Sequence, residues 1–155
     1  MQIRPARFPK DHAAVSGLFH DYQQWLDVDL RFQYFDREVA ELPGKYAAPR
    51  GNILLAWENN TAVGNRAWYP MSEDTCEIKR LFVQPEHTGR GIGKALLTQA
   101  LEMIRASGYR KVMLDSLERL EAAKKLYISF GFRPTAPYNE SPLPDVYYME
   151  RELAA

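Results

Sequence analysis

The sequence predicts a mixed α/β domain: a mostly antiparallel central sheet of six to seven strands, flanked by about four helices, with one central β-α-β crossover. Three observations predict it. Residues 52–83 hold three apolar, strand-like runs separated by short polar turns. Residues 76–115 read strand, glycine-rich turn, long amphipathic helix, strand. Two helical stripes are each closed by a glycine, Gly108 and Gly131. A length of 155 residues suits one domain covering 1–155, long enough to bury a core without disulfides or metals.

In chain order, Gln2 to Phe8 alternates loosely and predicts a first strand. Asp11 is placed to cap a helix in which Val15, Leu18, Phe19, Tyr22, Trp25 and Leu26 recur at spacings of three and four, the signature of a core-facing stripe. A shorter helix runs from about Tyr34 to Leu42 and stops at Pro43-Gly44. Asn52 to Glu58 and Thr61 to Tyr69 are strands joined by Asn59-Asn60, residues that tolerate the left-handed backbone of a tight hairpin. Cys76 to Val83 is the next strand, ended by Pro85. Gly91 to Ser107 is a helix with Ile92, Leu96, Leu97, Leu101, Met103 and Ile104 on its apolar side. Lys111 to Asp115 is a strand parallel to the one before the helix, and a right-handed crossover joins them. Leu117 to Phe130 is the last helix, with Asp115-Ser116 as its cap or as a substrate contact. A proline-rich loop, Pro134 to Pro144, precedes a final strand over Asp145 to Leu153.

Composition narrows the function. Twenty basic and twenty acidic residues cancel, which argues against a general nucleic-acid binder. The longest apolar run, Ile53 to Trp57, is too short for a membrane span. One cysteine, Cys76, forms no internal disulfide and suits a reducing, cytoplasmic setting. His12, His20 and His87 have no metal-ligand spacing with each other or with Cys76, so no metal is expected.

The most informative segment is Val83-Gln84-Pro85-Glu86-His87-Thr88-Gly89-Arg90-Gly91-Ile92-Gly93-Lys94-Ala95. A strand enters a glycine-rich turn that opens a helix. Glycines let backbone N–H groups approach a ligand, and the helix start adds partial positive charge, so the turn suits phosphate. Arg90 and Lys94 could add charge at its rim. A Walker A loop is excluded, because only three residues separate Gly89 from Gly93 and Ala95 stands where a hydroxyl is required. A dinucleotide fingerprint is excluded by Lys94 at its last glycine position.

Thr88-Gly89-Arg90-Gly91-Ile92-Gly93 resembles the pyrophosphate loop, Arg/Gln-x-x-Gly-x-Gly/Ala, of the GNAT superfamily of acetyl-CoA-dependent N-acetyltransferases. Thr88 stands where that family carries Arg or Gln. Glu77-Ile78-Lys79-Arg80-Leu81-Phe82-Val83 is similar to its fourth strand, and Leu126-Tyr127-Ile128-Ser129-Phe130-Gly131-Phe132 to its Leu-Tyr-x-x-x-Gly-Phe motif. The similarity is strong over Cys76 to Phe132; Leu120 sits about where the family often has Asn. The resemblance implies a GNAT-type fold, acetyl-CoA as co-substrate, and cofactor contacts from Leu81, Phe82, Val83, Thr88, Gly89, Arg90, Gly91, Ile92, Gly93 and Lys94.

It also implies a chemistry. An alkylamine has a pKa of roughly 10, so a base must take its proton. Glu77, four residues before Leu81, is the candidate; Glu77, Lys79 and Leu81 share one strand face by period two, and Glu77 could instead simply pair with Lys79 or Arg80. A backbone N–H within Leu81 to Val83 would hold the oxyanion. Tyr127 is the candidate acid for the leaving thiolate. Tyr34, Arg66, Trp68, Tyr138 and Tyr147 are candidates to line the acceptor pocket; these aromatics equally suit core filling or a homodimer interface. A small-molecule amine or amino acid is the expected acceptor, with a protein or peptide amine, or a non-catalytic acyl-CoA sensor, as alternatives.

Overall fold

Alternating strand runs and glycine-closed helices fold into one seven-stranded sheet with helices on both faces, in a computed structural model that describes residues 1–27 and 35–153. The strands are β1 (Gln2–Pro5), β2 (Asn52–Glu58), β3 (Thr61–Pro70), β4 (Thr75–Val83), β5 (Lys111–Leu117), β6 (Arg133–Pro134) and β7 (Val146–Glu152). The helices are α1 (His12–Leu26), α2 (Phe35–Ala40), α3 (Ile92–Ala106) and α4 (Glu121–Ser129). The sheet order is β1-β2-β3-β4-β5-β7-β6; only β4 and β5 run parallel, joined through α3.

Asn59 and Asn60 both take positive φ, 49° and 69°, as the turn between β2 and β3 requires. The apolar run of β2 is buried on both sides. Leu54 and Ala56 join α3 and α4 in one core, while Ile53 and Leu55 join α1 and α2 in the other. Among the described residues no helix is long and apolar enough to cross a membrane.

Four expectations need correction. The first strand stops at Pro5. Asp11 occupies the N-cap of α1, but its side chain makes no capping bond; its carboxylate accepts from Arg4 Nη1 and from the Arg7 backbone N–H, both at 2.8 Å. The last helix begins only at Glu121, because β5 continues to Leu117 where Ser116 and Leu117 pair with Tyr147 and Val146. Asp115-Ser116 therefore lies in a strand and caps nothing.

The fourth concerns strand parity. On β3, Asn65 pairs with Phe82 but Ala67 pairs with Lys79, so β4 holds one extra residue at Arg80-Leu81. Arg80 takes φ 60°, a conformation that costs a non-glycine residue about 1–2 kcal/mol. Beyond this bulge the alternation flips, and Leu81 packs with Cys76 and Ile78 on the α3 side, not with Glu77. The bulge is held by tertiary contacts. Asn65 Nδ2 donates to the Arg80 carbonyl at 2.6 Å. The Arg80 guanidinium is buried against Glu38 of α2, with Nε to Oε2 at 2.9 Å.

Burial alone would raise the Glu38 carboxyl above its usual 4.5, but the Arg80 and Lys45 cations outweigh burial and hold it below. A depressed folded-state value means that the stabilisation is present above the unfolded value and is lost as pH falls through the folded one. Glu38→Gln should therefore lower unfolding free energy near neutral pH by about 3 kcal/mol, since it strands a buried guanidinium, and should flatten the acid limb of stability against pH. Urea titrations across that range read both effects.

Candidate active site

Parallel pairing between β4 and β5 is confined to Thr75–Lys111, Cys76–Val112 and Glu77–Met113. Beyond it the strands separate, and β4 presents an edge without a strand partner. The gap is a cleft of about 500 Å³, lined by Ile78 to Val83, by His87 to Gly89 and Gly91 to Gly93 of the turn, by Asp115 and Ser116, and by Tyr127 with Leu126 from α4.

One end of the cleft is built to hold an anion. Gly91, with φ 79°, is the N-cap of α3, and Gly89 has φ 78°. The first bond of the helix runs from the Ala95 N–H to the Gly91 carbonyl at 3.0 Å. Among the described residues the backbone N–H groups from Gly89 to Lys94 find no acceptor in the chain. Consecutive unpaired N–H groups at a helix start form a cradle for phosphate oxygens. A Cβ built at Gly89, Gly91 or Gly93 would meet no atom within 4 Å, so the space before them is open. The residues fit the diphosphate of coenzyme A.

At the other end Tyr127 is nearly buried, its ring edge-on to Phe132 at 5.7 Å. Its hydroxyl accepts from Arg66 Nη1 at 3.1 Å. Between the two ends the free edge of β4 offers backbone groups to an extended chain such as pantetheine.

The expected site residues divide. Leu81, Phe82, Val83, Thr88, Gly89, Gly91, Ile92, Gly93, Arg66 and Tyr127 line this one cleft. Arg90 turns outward to His87 Nδ1 at 2.9 Å and Glu58 at 3.3 Å, and Lys94 faces a groove on the far side of α3. Trp68 is core, packed on the α3 side of the sheet. Tyr147 is half-buried under Lys124. Tyr34 lies outside the described residues.

Glu77 sits on the opposite, α1–α2 face and is 1% exposed. Its carboxylate accepts from the hydroxyls of Tyr69 and Tyr138 and lies 3.7 Å from Lys79 Nζ. Burial, then the Glu77 charge, push both phenols well above their ordinary value. Tyr138 also stacks edge-on with Tyr148, so the proline-rich loop is drawn over Glu77.

Some lining residues escaped sequence reasoning. Tyr22 and Trp25 wall the cleft from α1, packed on Phe82 with centroids at 6.0 and 5.9 Å. They belong to the helical stripe that reads as core, and the 51% exposure of Trp25 is what distinguishes it. Lys79, Arg80, Asp115 and Ser116 line both this cleft and an adjoining cavity of about 60 Å³ toward Ser141 and Leu143.

Residues 19–132 match the Acetyltransferase (GNAT) family. The chain belongs to that family. A relative, an uncharacterised N-acetyltransferase of Schizosaccharomyces pombe, is 37% identical over 99% of this chain and 96% of its own length. A Streptococcus agalactiae acetyltransferase shares the fold with TM-score 0.82 at 21% identity, covering 98% of each chain. A putative acetyltransferase from Salmonella typhimurium, solved with its cofactor acetyl-CoA, superimposes with TM-score 0.76 at 23% identity over 100% of this chain and 95% of its own. As a GNAT protein the chain is an acetyl-CoA-dependent acyltransferase acting on an amine.

Gly93→Val would place methyl groups in the open space before the cradle without forcing a forbidden φ. It should lower acetyl-CoA affinity by at least about tenfold while changing unfolding free energy by no more than about 1 kcal/mol. Calorimetric titration beside urea unfolding separates the two; unchanged affinity would remove the turn from the binding site.

Proposed function

We propose that this protein transfers acetyl from acetyl-CoA to the primary amine of a small molecule or amino acid, by direct attack, with residues 1–155 forming one catalytic domain. The observation that carries this reading is a single open cleft with unpaired backbone N–H groups at one end and the Tyr127 hydroxyl at the other. The cofactor supplies the activated acyl group as a thioester. Backbone N–H groups of the turn from Gly89 to Lys94 bind the diphosphate, with Thr88 beside them. The β4 edge over Leu81, Phe82 and Val83 aligns the pantetheine arm, and an N–H freed by the bulge bonds the developing oxyanion.

The small size of the adjoining cavity, about 60 Å³, favours a small acceptor over a polypeptide. Asp115 within it, already accepting from Asn139 at 2.8 Å, offers an ammonium a counter-charge. Glu77 is the terminal proton acceptor, reached through Tyr138. The amine passes its proton to the Tyr138 oxygen as Tyr138 passes its own to Glu77. Because the Tyr138 phenol is held protonated, this transfer is concerted and does not draw on a free phenolate. Tyr127 protonates the departing sulfur.

An amine panel read by free-thiol release tests the activity; no release with any amine would leave only a binding protein. Tyr127→Phe should lower kcat by about 100-fold with acetyl-CoA affinity retained. Glu77→Gln and Tyr138→Phe should each lower kcat and change the acid limb of its pH profile. If the limb is unaltered in both, the proton leaves by another route.

A further inference from the structure

Among the described residues Arg66, an arginine lining the cleft, pairs with no carboxylate. It lies on β3, paired with Leu54 of β2 but with no register partner on β4 at the bulge, and is 1% exposed. Its Nη1 donates to Tyr127 Oη at 3.1 Å, and its Cζ lies 5.4 Å from the centre of the Tyr127 ring. Among the described residues its Nε and Nη2 have no hydrogen-bond partner and it enters no ion pair. Arg80, also buried, is instead matched by Glu38.

A guanidinium stays charged in proteins and has no acceptor. Two consequences follow from those facts. A buried cation without a counter-ion is costly, so the surroundings gain most from negative charge on an atom it touches, and that atom is Tyr127 Oη. The Tyr127 oxygen can only accept from Arg66, so the phenol's own proton is turned away from Arg66 and is free for an acceptor in the cleft.

We propose that Arg66 is a positioning residue for Tyr127: it aims the phenolic proton at the departing sulfur and holds the phenolate left behind. The proposal rests on the reading of Tyr127 as the acid. In the step, the amine nitrogen forms a bond to the acetyl carbon and the carbon–sulfur bond breaks. The sulfur keeps that electron pair and takes the Tyr127 proton. Arg66 stabilises the phenolate until solvent reprotonates it, and the proton lost by the amine leaves through Tyr138 and Glu77. Other ionisable groups face the pair: Tyr22 from α1, Arg80 from β4, Asp115 from β5 and Tyr147 from β7. Burial pushes Tyr22 up to about 12 even against the Arg80 and Arg66 cations. Asp115 and Glu121 are the carboxylates that line the same cleft.

The test combines Arg66→Met and Arg66→Lys with Tyr127→Phe. Arg66→Met should lower kcat about 10- to 100-fold with little change in KM for acetyl-CoA, and Arg66→Lys should recover part of the loss. In the Tyr127→Phe background, Arg66→Met should produce no comparable further loss. Arg66→Gln serves the same cycle if the methionine variant does not fold. An equal loss in both backgrounds would overturn the proposal. Full turnover by Tyr127→Phe would instead overturn the acid role of Tyr127 on which the proposal rests.

Discussion

The divergence of β4 from β5 is the constraint on which the rest of the molecule depends. Two parallel strands would ordinarily pair along their length, but here pairing ends at Glu77 and Met113. The bulge at Arg80-Leu81 turns β4 away, and a positive φ at Arg80 would relax if nothing opposed it. Asn65 on the Arg80 carbonyl and Glu38 on its guanidinium oppose it, one from the neighbouring strand and one from α2. The second helix, remote from the cofactor turn, thus helps to keep the cleft open. The same opening exposes a strand edge, which is tolerable in a sheet because a cofactor arm can complete it.

Much of this was legible in the sequence, for local reasons. The Asn59-Asn60 hairpin, the glycine turn and the helix stops at Gly108 and Gly131 follow from backbone preferences of single residues, and each stands where the sequence puts it. The family resemblance over Cys76 to Phe132 lies within the matched residues 19–132. What was illegible depends on contacts distant in sequence. Arg80 carries no signal for a left-handed backbone, since its conformation is imposed by Asn65 and Glu38, so the face of Leu81 was misread. Trp25 and Tyr22 fall on an amphipathic stripe whose period is the same whether it meets core or cleft. The Asp115-Ser116 pair has a good cap composition, but strand pairing with β7 prevailed over the local preference.

Glu77 illustrates the same division more sharply. Its position in the strand makes it the candidate base. Its surroundings come from Tyr69, eight residues away, and from Tyr138 on a loop beyond α4. No spacing rule joins Glu77 to Tyr138. The proline-rich composition of that loop predicted an irregular segment over one face, which it is; which side chain it delivers follows only from the packed structure.

Charge is distributed across the sheet in a way that fits the proposed direction of transfer. On the cofactor side, unpaired N–H groups stand at one end of the cleft and the unmatched Arg66 guanidinium at the other, so both the resting diphosphate and the negative charge that develops on the departing side are favoured there. On the acceptor side stand the carboxylates Glu77 and Asp115, which favour a cationic ammonium and then the loss of its proton. Lys79 and Arg80 line both cavities. A sheet that opens only where these two fields meet lets the amine and the thioester approach from opposite sides, with each partner's charge matched before the bond between them forms.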